Sequence, residues 1–155
     1  MPATDALFAW MLGDRAPPPL SLSLPPGGLE EAWVLQWLRG NLRTLGGAGS
    51  WLIVDGEEVV GLCNYKAPPD SKGAVEIGYA VAPARRRRGY ATAGLAALVK
   101  EAARDRRITR LVAQIAVANA GSQRVAQANG FTRYGKSTDP DDGEMDLWGL
   151  NCGPV

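Results

Sequence analysis

The chain has 155 residues, 46% of them hydrophobic, with 17 lysines and arginines against 16 acidic residues and no histidine. That length suits a single domain with one core, no apolar run reaches the roughly 18–20 residues of a membrane span, and a net charge of +1 gives no general affinity for polyanions. The lack of histidine excludes His-based triads, and with two ordinarily placed cysteines and no Cys-x-x-Cys it leaves neither a metal site nor a disulfide framework to expect.

In chain order, Thr4 or Asp5 can cap a short helix in which Leu7, Trp10 and Met11 share a face, ended by Gly13-Asp14 and by Pro17 to Pro19. The start, Met1 to Asp5, lacks the basic-then-apolar pattern of a secretory signal, so a cytoplasmic location is expected. Leu20, Leu22 and Leu24 alternate with serines as a brief strand before Pro25-Pro26-Gly27-Gly28. From Leu29 to Leu45 the positions Val34, Trp37, Leu38, Leu42 and Leu45 follow a helical period. Gly46 to Gly49 form a joint, and Trp51–Val54 and Val59–Tyr65 flank Asp55-Gly56 as a hairpin.

Ala74 to Val81 alternates. Val75, Ile77, Tyr79 and Val81 point one way, while Ala74, Glu76, Gly78 and Ala80 point the other. A carboxylate such as Glu76 among apolar neighbours needs a partner, a solvent-exposed edge or a task, because an unpaired buried charge is costly. Next come four arginines, Arg85 to Arg88, then Gly89-Tyr90-Ala91-Thr92, then a helix whose Leu95, Leu98, Val99 and Ala102 share a face. A strand, a tight turn and a helix leave unpaired N–H groups at a positive helix terminus, and Gly89 admits a ligand close to the backbone. Such a turn holds a phosphate; a solvated basic loop and a nucleic-acid surface are the other readings of the run.

The second arginine group, Arg104, Arg106, Arg107 and Arg110, reads as a solvated helix end. Leu111, Ala113, Ile115 and Val117 alternate as a strand parallel to the one before the helix. Asn119 can cap a further helix that Gly130 ends, and Phe131–Ser137 with Glu144–Leu150 read as a closing hairpin. No internal repeat is present. Neither a Walker-type phosphate loop nor a Gly-x-Gly-x-x-Gly turn occurs.

Two of these stretches carry a resemblance. Arg86-Arg87-Arg88-Gly89-Tyr90-Ala91 after Val75-Glu76-Ile77-Gly78-Tyr79, with Asn119-x-x-Ser122-x-Arg124-Val125 and Asn129-Gly130-Phe131 downstream, resembles the GNAT N-acetyltransferases. The likeness is closest to the branch that includes the ribosomal-protein-alanine acetyltransferases, and it covers residues 49–150 well and 1–48 poorly. It implies an α/β (α+β) fold with a mixed, mostly antiparallel sheet and a parallel β-α-β crossover at the cofactor site. Residues 1–48 become a helical acceptor-side segment and 49–150 a cofactor-binding core, so that 1–155 is one domain. Trp33 and Trp37 then either touch the acceptor or pack in the core.

The activity implied is transfer of an acetyl group from acetyl-CoA to a primary amine, directly in a ternary complex and with no metal. The cofactor residues implied are Val81, Arg86, Arg87, Arg88, Gly89, Tyr90, Ala91, Thr92 and Asn119, with a backbone N–H near Val81 for the oxyanion. Glu76 is the candidate base. Many family members protonate the leaving thiolate with a tyrosine seven residues after the Asn, but that position is Ala126 here, which leaves Ser122 or a water. Ser122 and Asn119 are alternatively a plain helix start and cap. Cys63 as an acyl carrier has no histidine to activate it. The partner expected is a small-molecule or peptide amine, with no nucleic acid and no membrane, in a possible homodimer. The alternative activity is a module that binds acetyl-CoA without turnover.

Overall fold

A computed structural model describes residues 1–14 and 21–152. Its elements in order are α1 (Asp5–Met11), α2 (Ala32–Thr44), β1 (Ser50–Asp55), β2 (Glu58–Tyr65), β3 (Ala74–Val81), a 3-10 turn (Pro83–Arg85), α3 (Tyr90–Arg104), β4 (Arg110–Ala116), α4 (Ala120–Ala128), β5 (Thr132–Asp139) and β6 (Gly143–Asn151). The strands form one sheet in the order β1-β2-β3-β4-β6-β5. Every neighbouring pair is antiparallel except β3 and β4, which are parallel as expected of two strands joined through a helix.

The parallel pair is short. Its register runs only over Ala74↔Arg110, Val75↔Leu111 and Glu76↔Val112. Beyond that point β3 continues against β2 as far as Val81, and β4 continues against β6 as far as Ala116. The two strands therefore part in mid-sheet, and the C-terminal half of β3 has an edge with no strand on it.

Alternation along the strands sends side chains to two cores. Leu62 and Cys63, adjacent on β2, join different clusters and so mark opposite faces of the sheet. On one face Val75, Ile77, Leu111, Ala113 and Ile115 pack beneath α3 and α4. On the other, Leu52 and Leu62 pack beneath α1 and α2. Leu95 and Leu98 of α3 are 0% and 1% exposed, and burial of each contributes roughly 1.5–3 kcal/mol toward holding that helix in place. Gly94 sets how closely it lies: a Cβ there would run into the Ile53 side chain on β1.

The first helix starts where Thr4 Oγ1 accepts from the Leu7 N–H, one of the two caps the sequence suggests. The expected strand near Leu22 is reduced to one bridge, Ser23 to Glu58; its first residue, Leu20, and the break at Pro17–Pro19 lie outside the described residues. On α2 the buried face is Leu35, Leu38 and Leu42. Core packing of the tryptophans is thereby corrected: Trp33 and Trp37 are 66% and 51% exposed. The heptad-like spacing of the three leucines claims the inward face, and the tryptophans, four residues apart, share the outward one. Among the described residues no helix is long and apolar enough to cross a membrane, and no three side chains are grouped to hold a metal ion.

Candidate active site

The turn after β3 is built to present backbone donors. Ala82 is fully buried and its N–H donates to Val60 O at 2.8 Å, which ends the strand. Pro83 then starts the 3-10 turn, and Arg85 is tied down by Glu58 through Nε at 2.6 Å and Nη2 at 3.1 Å. Arg86 Nε donates to Val81 O at 3.3 Å and closes the turn over the strand end. Arg87 follows at φ 65°, the single non-glycine with positive φ among the described residues. Backbone strain of that kind is tolerated where the surroundings impose it, often at a functional turn.

Gly89 stands at the N-cap of α3 with φ 82° and no side-chain cap. The first helical bond runs from Ala93 N–H to Gly89 O at 3.1 Å. The N–H groups of Tyr90, Ala91 and Thr92 therefore have no acceptor within the helix, and the macrodipole adds positive potential at the same place. A glycine Cβ would meet nothing within 4 Å there, so the approach is open.

These amides face a cleft of about 780 Å³ between the end of β3 and the start of α4. Val81, Arg86, Arg87, Arg88, Gly89, Tyr90, Ala91, Thr92, Asn119 and Ser122 all line it. The chain thus gathers in one place every cofactor residue anticipated from its sequence, together with one of the two candidate catalytic residues. The cleft sits at the parting of the strands. The even residues of β3 bond β2, with Lys66 N–H donating to Glu76 O and Ala82 N–H to Val60 O, so alternation turns the backbone groups of Tyr79 and Val81 to the unpaired edge.

Glu76 is placed apart. It does not line this cleft, and its side chain lies on the opposite face of β3 from Tyr79. Its carboxylate accepts from Gln114 Nε2 at 3.1 Å and pairs with Lys66 Nζ at 3.6 Å. The partner that a half-buried Glu needs is therefore present, and the salt-bridged alternative for this residue is realised in the free protein.

Asn119 does cap α4, its Oδ1 accepting from Ser122 N–H at 3.1 Å. Ser122 also accepts, through its backbone carbonyl, a 2.7 Å hydrogen bond from the Tyr79 hydroxyl. Tyr79, half-buried, lies across the cleft from β3 to α4, and burial raises its phenol well above the usual value. Tyr90 turns its hydroxyl away to the Asp55 carboxylate, a bond that raises its own phenol. Cys63 is 2% exposed and donates to Gly94 O at 3.8 Å; burial pushes its thiol up to about 12. So protonated and enclosed a thiol does not serve as a nucleophile at neutral pH.

Three residues of this site, Tyr79, Arg124 and Glu30, had no site role assigned from the sequence, although the first two stand in the quoted motifs. Tyr79 was visible as a member of the alternating strand and of the Val75–Tyr79 stretch, with no role assigned to it. Arg124 and Glu30 also line the cleft, adding a fifth arginine-bearing position beside Arg85 to Arg88 and a single carboxylate. Nothing in the local pattern places Glu30, which arrives from the loop before α2.

Comparison with known proteins agrees with this geometry. The family model described as "Acetyltransferase (GNAT) domain" matches residues 5–132. An uncharacterized N-acetyltransferase, YjdG, of Bacillus subtilis (strain 168) is 34% identical over 95 residues, which are 60% of this chain and 56% of that protein, so the match spans little more than half the relative's length. The structure of RimL, a ribosomal L7/L12 alpha-N-protein acetyltransferase, in complex with coenzyme A superposes with a TM-score of 0.71 at 25% identity, over 97% of this chain and 92% of that one. The aminoglycoside acetyltransferase AAC(6')-Ib in complex with coenzyme A gives 0.70 at 16% identity over the same shares, a likeness of fold.

Proposed function

Because the chain belongs to the acetyltransferase (GNAT) domain family, we propose that it is an acetyl-CoA-dependent N-acetyltransferase that moves the acetyl group to a primary amine directly, in a ternary complex. The observation that carries this reading is the uncapped N-terminus of α3 opening, through Gly89, into the cleft where β3 and β4 part. Helix amides at Tyr90, Ala91 and Thr92 take the pyrophosphate, and Arg86, Arg87, Arg88 and Arg124 neutralise the remaining phosphate charge. The pantetheine arm runs along the free edge of β3, with Asn119 hydrogen-bonding it from the α4 side.

The thioester then lies beside Tyr79 and Val81. The Val81 N–H, turned toward this edge, stabilises the tetrahedral oxyanion. Ser122 contributes a hydroxyl that steadies the sulfur. Glu76 acts on the other face of the strand, where α1 and α2 pack, drawing the proton of the incoming amine through a water. Its pairing with Lys66 and Gln114 holds it oriented for that role. The acceptor is a small-molecule or peptide amine, and the setting is cytoplasmic. Of the two solved relatives, one is named for a protein α-amine and the other for aminoglycosides.

A second reading is a module that binds acetyl-CoA and does not turn over. It is favoured by the ion pair that engages Glu76 outside the cleft. One experiment separates the two: release of free thiol from acetyl-CoA is followed over a panel of peptide and small-molecule amines, for wild type and Glu76→Gln. The enzyme releases thiol with at least one acceptor, and the variant loses turnover about 10²-fold or more while retaining acetyl-CoA affinity. A binding module takes up acetyl-CoA and releases thiol with none.

A further inference from the structure

Collapse of the tetrahedral intermediate expels a thiolate, and something must protonate it. The chain offers few candidates. It has no histidine, an arginine side chain does not release a proton near neutrality, and the one carboxylate that lines the cleft, Glu30, comes from the loop before α2 rather than from β3 or α4. Four hydroxyl side chains line the same cleft: Tyr79, Tyr90, Thr92 and Ser122. The Tyr90 hydroxyl donates its hydrogen bond to the Asp55 carboxylate at the β1–β2 turn. Thr92 sits in the first turn of α3, beside the amides assigned to phosphate, and the aliphatic hydroxyls of Thr92 and Ser122 are weaker acids than a phenol.

Tyr79 remains. Its ring extends from the unpaired edge of β3, and its hydroxyl reaches Ser122 O on α4 at 2.7 Å. Ser122 and Ala126 are one turn apart and share a face of α4. Ala126 is fully buried, and its methyl has no ionisable proton to give. The phenol thus comes from the strand to a helix face that brings no acid of its own. We propose that Tyr79 is the general acid that protonates the departing thiolate, an assignment that rests on the acetyl-transfer reading above.

The step balances without a further reagent. The amine lone pair forms the C–N bond, and the nitrogen gives up a proton to the base. As the carbonyl re-forms, the C–S bond breaks with its electron pair on sulfur, and sulfur takes the Tyr79 Oη proton; the phenolate recovers a proton from solvent. Before that moment the proton is held by the neutral Ser122 carbonyl, and an anionic sulfur is the stronger acceptor. Burial raises the Tyr79 phenol and so keeps its proton on oxygen until an anionic sulfur forms beside it.

The test compares two donors, acetyl-CoA and its selenoester analogue with selenium in place of the thioester sulfur, in wild type and Tyr79→Phe. A selenolate leaves at neutral pH without needing a proton. If Tyr79 is the acid, Tyr79→Phe binds acetyl-CoA as wild type does, loses about 10²-fold in kcat with acetyl-CoA, and recovers most of that loss with the selenoester. Equal losses with both donors mean that the hydroxyl only tethers β3 to α4, and overturn the proposal, as does no loss at all. Should the phenylalanine variant misfold, fluorinated tyrosines at position 79 keep the hydroxyl; kcat with acetyl-CoA then follows phenol acidity for an acid and is indifferent to it for a tether. Wild type that transfers from neither donor refutes the acetyltransferase reading itself, and this one with it.

Discussion

Gly89→Ala separates what the turn does for the fold from what it does for the ligand. Gly89 sits at φ 82° with nothing within 4 Å of an added methyl, so in the free protein the substitution costs only the left-handed backbone. That is roughly 1–2 kcal/mol, a fall of about 2–8 °C in thermal midpoint for a chain of this size. With ligand present the methyl stands at the mouth of the helix terminus and displaces an anion from at least one amide. A charge-assisted hydrogen bond is worth about 1.5–3 kcal/mol, which corresponds to about 10- to 100-fold in acetyl-CoA affinity. Gly46→Ala is the control: φ 79°, equally open surroundings, and no place in the cleft. Thermal melts and calorimetric titration of both variants should give similar losses of stability and a loss of affinity in Gly89→Ala alone. Affinity within twofold of wild type in Gly89→Ala, alongside the expected fall in midpoint, would refute the helix terminus as the phosphate grip.

Gly61→Ala is expected to destabilise more than either, by about 1–3 kcal/mol in chemical denaturation, because its Cβ would stand 2.6 Å from the backbone carbonyl of Ala80. An unchanged denaturation midpoint would contradict the tight β2–β3 contact. Asn119→Ala removes the cap on the Ser122 N–H and should cost about 1 kcal/mol, read as a lower thermal midpoint with weaker acetyl-CoA binding. Asp5 accepts from Arg39 at 2.8 and 2.9 Å and from Arg43 at 2.9 Å, and these hydrogen bonds, Arg39 first, hold its carboxyl well below the usual value of 3.8. A depressed pKa stabilises fully above the unfolded value, and the stabilisation is lost as pH falls through the folded one. The midpoint of wild type should accordingly drop more steeply below about pH 4 than that of Asp5→Asn, and parallel curves would show that the α1–α2 clamp is inert.

Local signals were readable where one residue type has one physical consequence. Alternation fixed β3 at Ala74–Val81, the Asp55-Gly56 turn set the β1–β2 hairpin, and Asn119 and Gly130 bracketed α4. Gly89 marked the turn before α3 because glycine is the residue type that takes a positive φ there without strain. The inward face of α2 was misjudged at Trp37, since a tryptophan at helical spacing counts as apolar whether or not the sheet below has room for it. The rest depends on contacts remote in sequence. After Glu76, β3 stays with β2 while β4 stays with β6, and no local pattern encodes that parting. Arg85 looks like its three neighbours, yet Glu58 on another strand engages its guanidinium. Tyr79 gains its place only because α4 returns over the cleft some forty residues later and offers the Ser122 carbonyl.

The central claim is that acetyl-CoA occupies the cleft between the parted strands, gripped by the α3 terminus. Amide hydrogen exchange followed by mass spectrometry, with and without acetyl-CoA, tests it most directly. Binding should slow exchange in peptides covering 79–93 and 119–125 and leave the β5–β6 hairpin unchanged. Protection confined to other segments, or none at saturating acetyl-CoA, would contradict it.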